Sequence, residues 1–354
     1  MKVGLVIYGP LEGQSGGYLY DRRLVRHLEE RGDSVEVVSL RPYSPGLSML
    51  DNLDPRLLRR LRDLEVDVLV EDEIDHPSLC LLNGRLKKAV DFPLVGLVHH
   101  LTCRAETCRA KAFRHRATER RFLRDLDGLI CNSEATKRSV LEIAPHLDGV
   151  VAYPGRDHIA AREMERRGCP GPLTIIYLGN ILPHKGLDVL VTAMASLPRG
   201  EFRLEVVGAP LDRDYYELVS GMLVQGGLED EVRFHGRLPD RERDRLLDGC
   251  HVLAVPSHHE GYGLVFVEAL ARGLPVLAPS SGGAGEVISH GREGFLIEPG
   301  DHSAVTAHLM GLGADRVRLQ EMSVAARQRF DALPTWEVEM GKARDYLLKM
   351  VRSQ

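Results

Sequence analysis

Apolar positions along this chain come in short unbroken runs, each followed by a longer stretch where apolar and charged residues mix at helical spacing. A run that is apolar at every position lacks the alternation of a half-exposed strand, and reads as a strand covered on both faces. In the first half the pattern predicts strands over Val3–Ile7, Ser34–Ser39, Val68–Val70, Leu94–Val98, Gly128–Cys131 and Gly149–Tyr153. In the second half it predicts Leu173–Leu178, Arg203–Val207, Val232–His235, His251–Val255, Pro275–Ala278 and Gly294–Ile297. Helices are predicted between them, among others at Tyr18–Arg31, Arg56–Leu64, Leu187–Ala195, Tyr215–Gly226, Asp240–Asp248, Gly263–Arg272, Ala284–Ser289 and His302–Met310. Such alternation predicts an α/β fold built on parallel sheets.

At 354 residues the chain exceeds one domain of ordinary size. The stretch Gly155–Pro172 is rich in Arg, Gly and Pro, and Cys-Pro-Gly-Pro stands directly before the next strand, which suits a linker. The expected organisation is therefore a Rossmann-like domain over 1–155, a linker over 156–172, a second Rossmann-like domain over 173–333 and a terminal helix over 334–354. Thr335 is placed to cap that helix. Open parallel sheets bind ligands outside the carboxyl ends of their strands, and the candidate residues below follow predicted strands. One cleft between the domains is expected.

Composition narrows the classes. The hydrophobic share of 44% and charged share of 27% are those of a soluble globular protein. A net charge of −5 gives no reason to expect a nucleic acid partner. Cysteines at 80, 103, 108, 131, 169 and 250 form no Cys-x2-Cys pair, and read as reduced thiols of a cytoplasmic protein. The opening strand is unsuited to be a signal peptide, and no apolar run is long enough to span a membrane.

The most informative segment is Pro256-Ser-His-His-Glu260-Gly-Tyr-Gly-Leu-Val-Phe-Val-Glu268-Ala-Leu-Ala-Arg-Gly-Leu-Pro-Val276. A strand breaks at Pro256, a Gly-rich loop carries Glu260, and a helix carries Glu268. Eight helical steps would rise about 12 Å, too far for two carboxylates to share one scissile bond but suited to gripping two ends of an elongated ligand. A second segment, Tyr177-Leu-Gly179-Asn180-Ile-Leu-Pro-His184-Lys185-Gly186, turns from a strand into a helix and presents a lysine suited to a diphosphate.

Together these segments resemble the E-x7-E cassette and the G-R-x4-K-G segment of retaining glycosyltransferase family 4, of the GT-B fold. The resemblance implies two Rossmann-like domains facing across a cleft, with the terminal helix crossing back to the first. It implies that Glu260 lies near a donor sugar, that Glu268 accepts both ribose hydroxyls, and that Lys185 clamps the donor pyrophosphate. Gly261, Tyr262, Gly263 and Leu264 would contribute backbone contacts to the donor, together with Gly179. Asn180 departs from the family arginine, so one clamp charge is missing or comes from elsewhere. The base would pack near His235–Leu238, including Arg237. No metal and no cofactor are required on this reading, since the nucleotide sugar is a substrate.

In the first half, Gly9-Pro-Leu-Glu-Gly13-Gln-Ser15-Gly16-Gly17 misses the dinucleotide fingerprint. The Gly16-Gly17 pair resembles instead the family's cleft-facing glycine loop. His99-His100 follows a strand, and one of the pair resembles the family histidine that approaches the donor sugar; His100 is preferred, and no matching His or Cys cluster suggests a metal there. Ser133 is expected to cap a helix, with Glu134 in its first turn, and Asp157 matches a strand-end aspartate of the family. From Arg104 to Arg124, eight Lys or Arg stand against two Glu on one expected helix. That helix reads as a solvated rim or, alternatively, as a dock for an anionic acceptor or the inner face of a membrane. The acid run Val70-Glu-Asp-Glu-Ile-Asp75 imitates the metal-binding D-x-D of the other large glycosyltransferase fold and is set aside.

The expected activity is transfer of a sugar from a nucleotide-diphosphate donor to a hydroxyl acceptor, with retention, by front-face substitution. The alternatives are an epimerase or phosphorylase on the same architecture, or a non-catalytic nucleotide-sugar binder.

Overall fold

A computed structural model describes the chain apart from Gln14, Tyr43, Pro45, residues 162–170 and Gln354. The chain divides into two compact units. Unit 1 is Met1–Gly155 with Pro334–Gln354, and unit 2 is Arg156–Leu333. Most of the expected linker over 156–172 lies outside the described residues.

Unit 1 is built on β1 (Lys2–Tyr8), β2 (Ser34–Leu40), β3 (Val68–Asp72), β4 (Leu94–Val98), β5 (Gly128–Cys131) and β6 (Gly149–Val151). They form one parallel sheet in the order β2-β1-β3-β4-β5-β6. Every residue of β3, β4 and β5 is buried, which explains their unbroken apolar runs, whereas edge strand β2 is exposed at Ser34, Glu36 and Ser39. Val6, Leu69, Val98, Phe122 and Leu129 belong to the core beneath.

Unit 2 repeats the plan with β7 (Leu173–Leu178), β8 (Phe202–Val207), β9 (Val232–Gly236), β10 (Val252–Ala254), β11 (Val276–Pro279) and β12 (Gly294–Ile297). Their order is β12-β11-β10-β7-β8-β9, again parallel. In each sheet the chain builds outward on one side, then returns to build on the other. The reversal falls between β1 and β3 in unit 1 and between β7 and β10 in unit 2. A crevice opens at the strand ends where neighbouring connections diverge in this way.

The helix Trp336–Arg352 packs within unit 1. Trp336 meets Tyr20 edge to face at 5.6 Å, Arg344 binds Asp33 at 2.6 Å, and Tyr346 donates to the Asp148 carbonyl at 3.0 Å. A methyl group on Gly155 would fall 2.1 Å from the Trp336 nitrogen, so the chain leaves unit 1 and re-enters it side by side.

Each predicted strand is present, with ends displaced by at most two residues. The helical expectations need more correction. The basic segment is not one helix: Thr102–Ala105 and Arg109–Leu123 are separated by extended backbone at Glu106 and Cys108, where the Glu106 carboxylate accepts the Cys108 amide at 2.8 Å. Ala284–Ser289 tightens into a single 3-10 turn, Gly283–Glu286. The helix Arg316–Ala332 is additional, capped by Asp315 and anchored through Leu319, Met322, Ala326 and Phe330. Thr335 stands at the cap position of the last helix, but its side chain makes no capping bond. Among the described residues, no helix is long and apolar enough to cross a membrane.

Candidate functional site

In unit 2 the connections after β7 and β10 lock against each other. Beyond β7, Pro183–Lys185 make a 3-10 turn that ends on Gly186, in the left-handed region at φ 68°. A Cβ there would lie 2.1 Å from the Pro256 carbonyl oxygen, so only glycine lets the two strand exits approach. The His258 amide donates to the His184 carbonyl at 2.8 Å across the same junction.

This junction brings two distant segments together. Lys185 Nζ donates to Glu260 Oε1 at 2.6 Å, and Ser257 Oγ donates to the same oxygen at 2.8 Å. Burial opposes ionisation of Glu260, but the Lys185 charge and the two donors outweigh it and hold the carboxyl below its ordinary range. The Glu260 backbone is fixed as well. Its carbonyl accepts the Gly283 amide at 2.8 Å, beside Gly282 at φ 86°.

From Glu260 the chain passes half-buried Gly261, buried Tyr262 and Gly263 into the helix Leu264–Leu270, which carries Glu268. Glu268 Oε2 faces Arg243 Nε at 3.6 Å, and neither atom has a hydrogen-bond partner among the described residues. Burial pushes the Glu268 carboxyl up, with the Arg243 charge opposing it. Two polar groups with unmet capacity at this spacing suit the hydroxyls of a diol. Asn180 lies beyond Gly179 and accepts the Tyr177 hydroxyl at its carbonyl, 3.2 Å away. Arg237 is exposed just past β9. Arg243 was not singled out by sequence reasoning, and nothing separates it there from the other arginines of Asp240–Gly249.

Unit 1 places its candidates at its own reversal point. Ser15 caps the helix Gly16–Glu30, accepting from the Tyr18 amide. Gly17 lies so close to His99 that an added Cβ would be 3.2 Å from its ring. His99 Nε2 lies 3.2 Å from Asp21 Oδ1 and 4.0 Å from Asp72 Oδ2. Burial would lower the imidazole pKa, but the two carboxylates raise it to about 9, so His99 is a cation near neutrality.

The preference for His100 is therefore met by a different wiring: its neighbour His99 holds the carboxylates, while His100 is half-buried beside it. No further His or Cys joins the pair among the described residues; folding brings the carboxylates of Asp21 and Asp72 to His99 instead. The acid run set aside as an imitation is also structural. Glu71, Asp72, Glu73 and Asp75 are at most 6% exposed. Ser133 caps its helix through the Thr136 amide at 3.0 Å, and Asp157 is exposed at the start of unit 2.

Two family models match the chain, one described as Glycosyltransferase Family 4 over residues 19–158 and one as Glycosyl transferases group 1 over residues 163–329. The chain belongs to glycosyltransferase family 4. Among family relatives, the D-inositol 3-phosphate glycosyltransferase of Corynebacterium efficiens is 27% identical over 215 residues, covering 58% of this chain and 51% of that protein. A GDP-mannose-dependent alpha-(1-6)-phosphatidylinositol monomannoside mannosyltransferase of Mycobacterium tuberculosis is 32% identical over 202 residues, covering 54% and 51%. The matched stretch thus spans about half the length of these curated relatives. Among solved structures, a sucrose-phosphate synthase from Thermosynechococcus elongatus superposes with a TM-score of 0.84 at 20% identity, each chain covered to 100%. Anabaena HepE in complex with UDP-glucose gives 0.74 at 20% identity, again with 100% of both chains covered. These likenesses establish the GT-B fold for this family 4 chain.

Proposed function

We propose that this chain transfers a sugar from a nucleotide-diphosphate donor to a hydroxyl acceptor with retention of anomeric configuration, and that no metal ion takes part at the transfer centre. The observation that carries the reading is the convergence of Lys185, Ser257 and Glu260 at the reversal point of the unit 2 sheet, with the 2.6 Å Lys185–Glu260 pair at its centre. A fixed ammonium there is matched to a diphosphate, the group on which negative charge grows as the glycosidic bond breaks. Glu260 holds that ammonium in place and can accept hydroxyls of the sugar. Glu268 and Arg243, with unmet hydrogen-bonding capacity, are matched to the ribose diol.

The step is a front-face substitution. The bond between the anomeric carbon and the diphosphate oxygen breaks, and its electron pair leaves with the phosphate. The acceptor oxygen bonds to the same face, and its proton passes to the departing phosphate oxygen. Lys185 lowers the barrier by meeting charge on that phosphate, an interaction stronger in the transition state than in the bound donor. In unit 1 the acceptor-side candidates are His100 and Gly16–Gly17, with His99 packed on the second glycine. The names of the mannosyl- and inositol-phosphate-directed relatives make GDP-mannose and inositol phosphates the first donor and acceptor to try.

The test is thermal unfolding against UDP, GDP, ADP and their sugars, with Glu268→Ala as control, followed by NMR of the product anomer. A ligand at 100 times its Kd adds about 2.7 kcal/mol of stability. A shift for one base, lost in the control, and a product of the donor's configuration are expected. No shift with any nucleotide would sink the donor reading, and an inverted product would sink retention.

A further inference from the structure

The acid run after β3 does more than line the reversal point of unit 1. Past Asp72 the chain makes a 3-10 turn, Glu73–Asp75, and a short helix, His76–Leu79. These place Glu73 and His76 against Glu119 of the helix Arg109–Leu123, each side chain at most 2% exposed as a residue. One donor atom from each lies within 4.8 Å of the other two.

The unmet valences decide what the cluster lacks. His76 Nδ1 lies 3.0 Å from the Glu73 carbonyl oxygen, to which it donates. That fixes the tautomer and leaves Nε2 as an acceptor with no hydrogen-bond partner among the described residues. Glu73 Oε1 and Glu119 Oε2 also have no hydrogen-bond partner among the described residues, while the second Glu119 oxygen is held by the Cys103 amide at 2.9 Å. His76 Nδ1 also lies 3.2 Å from Glu73 Oε1, so one shared proton is all the cluster offers its two carboxylates, while His76 Nε2 and Glu119 Oε2 stay buried without a hydrogen-bond partner among the described residues, an arrangement that costs energy when nothing fills it. A neutral imidazole held through its other nitrogen by a backbone carbonyl is the usual posture of a metal-binding histidine. Two carboxylates balance a dication.

The neighbouring cluster behaves differently. Between Asp21 and Asp72 the His99 imidazolium already supplies a cation, which the Glu73–His76–Glu119 cluster lacks. We propose that Glu73, His76 and Glu119 bind one divalent transition-metal ion, with zinc as the best match to the one-nitrogen, two-oxygen donor set, as a structural site of unit 1. The ion ties the exit of β3, which carries Asp72, to the basic helix. It goes beyond the transfer chemistry and plays no part in it.

The experiment uses the full chain with any affinity tag removed. Metal is measured by mass spectrometry after dialysis against Zn2+ and then metal-free buffer, and unfolding temperature is followed as Zn2+ is returned to chelator-treated protein. About one Zn2+ per chain and a rise in unfolding temperature are expected. His76→Gln and Glu119→Gln should each weaken binding by roughly 100-fold or more, while Asp21→Asn keeps the ion. Should the ligand variants fail to fold, Co2+ added to the chelator-treated wild-type chain gives the visible absorption of a protein-bound ion, displaced by Zn2+. The proposal is overturned if the wild type neither retains an ion nor shifts with Zn2+ or Co2+. It is equally overturned if folded His76→Gln and Glu119→Gln bind as tightly as wild type, or if Asp21→Asn loses the ion instead.

Discussion

At the reversal point of unit 2, one lysine and one hydroxyl meet one glutamate, and the glutamate is held ionised. At the corresponding point of unit 1, Glu71, Asp72, Glu73 and Asp75 crowd beside a single protonated histidine, and burial pushes the Asp72 carboxyl up to about 7 and Glu71 up to about 8. Both sheets are six-stranded, parallel and reverse beside their first strand, yet the first site is balanced by a built-in cation and the second carries surplus acid. A balanced site is ready to exchange its internal pair for a ligand of matching charge. A surplus must take up protons or a cation before it is stable.

The comparison breaks most sharply at Lys185. If the unit 2 pair serves transfer, Lys185→Ala should lower turnover by about 100-fold or more while the protein stays folded, because the charge on the departing phosphate loses its partner. Steady-state assay with the donor that the nucleotide panel selects measures this, and a variant within a fewfold of wild type would refute the role. Glu268→Ala comes next. Loss of charged hydrogen bonds worth about 1.5–3 kcal/mol should raise the donor KM by roughly 10- to 100-fold with a smaller change in kcat.

A third test sharpens the contrast from the unit 1 side. Both carboxylate oxygens of Asp75 are buried with no hydrogen-bond partner among the described residues. Asp75→Asn should leave stability unchanged or raise it by about 1 kcal/mol, because burial and the neighbouring carboxylates push the Asp75 carboxyl well up, and the amide spares the fold the cost of taking up its proton. The opposite is expected of Glu260→Gln, which strands a paired lysine. Urea unfolding of the two variants side by side decides, and equal destabilisation would erase the distinction.

The smallest effect is a displaced pH profile. Burial raises the Glu268 carboxyl and Arg243 opposes that rise. Donor affinity requires the ionised form, so it falls as pH drops through the folded pKa. Arg243→Met should move that limb to higher pH, and titration calorimetry at several pH values would show it. Glu260 behaves in the other sense. Its pKa is lowered, so its contribution to unit 2 stability is complete above the ordinary value of 4.5 and lost as pH falls through the lowered one.

Strands were the legible part of this fold because burial on both faces leaves a direct mark on sequence, and β3, β4 and β5 carry it throughout. Helices on the periphery were less legible. The break at Glu106–Cys108 depends on one side chain folding back on a backbone amide, and Arg316–Ala332 buries a narrow stripe among charged residues. For the candidate sites, a cassette of fixed spacing made Glu260, Glu268 and Lys185 visible. Arg243, Asp21 and Glu119 sit on ordinary charged helices, and only the fold brings them to Glu268, His99 and His76. The burial of the acid run at Glu71–Asp75 was not legible either, because it follows from its position at the end of a central strand.

The side-by-side passage of Gly155 and Trp336 has a consequence for how the protein is made. The closing helix of unit 1 leaves the ribosome only after all of unit 2, roughly 10–40 s after Gly155 at ordinary rates of elongation. Unit 2 can finish folding first, while Tyr20, Asp33 and Tyr153 wait for partners not yet synthesised. Nascent unit 1, rather than unit 2, is therefore the stretch for which a chaperone would have most to cover, and a released chain ending just before Pro334 should hold a protease-resistant second half behind a sensitive first.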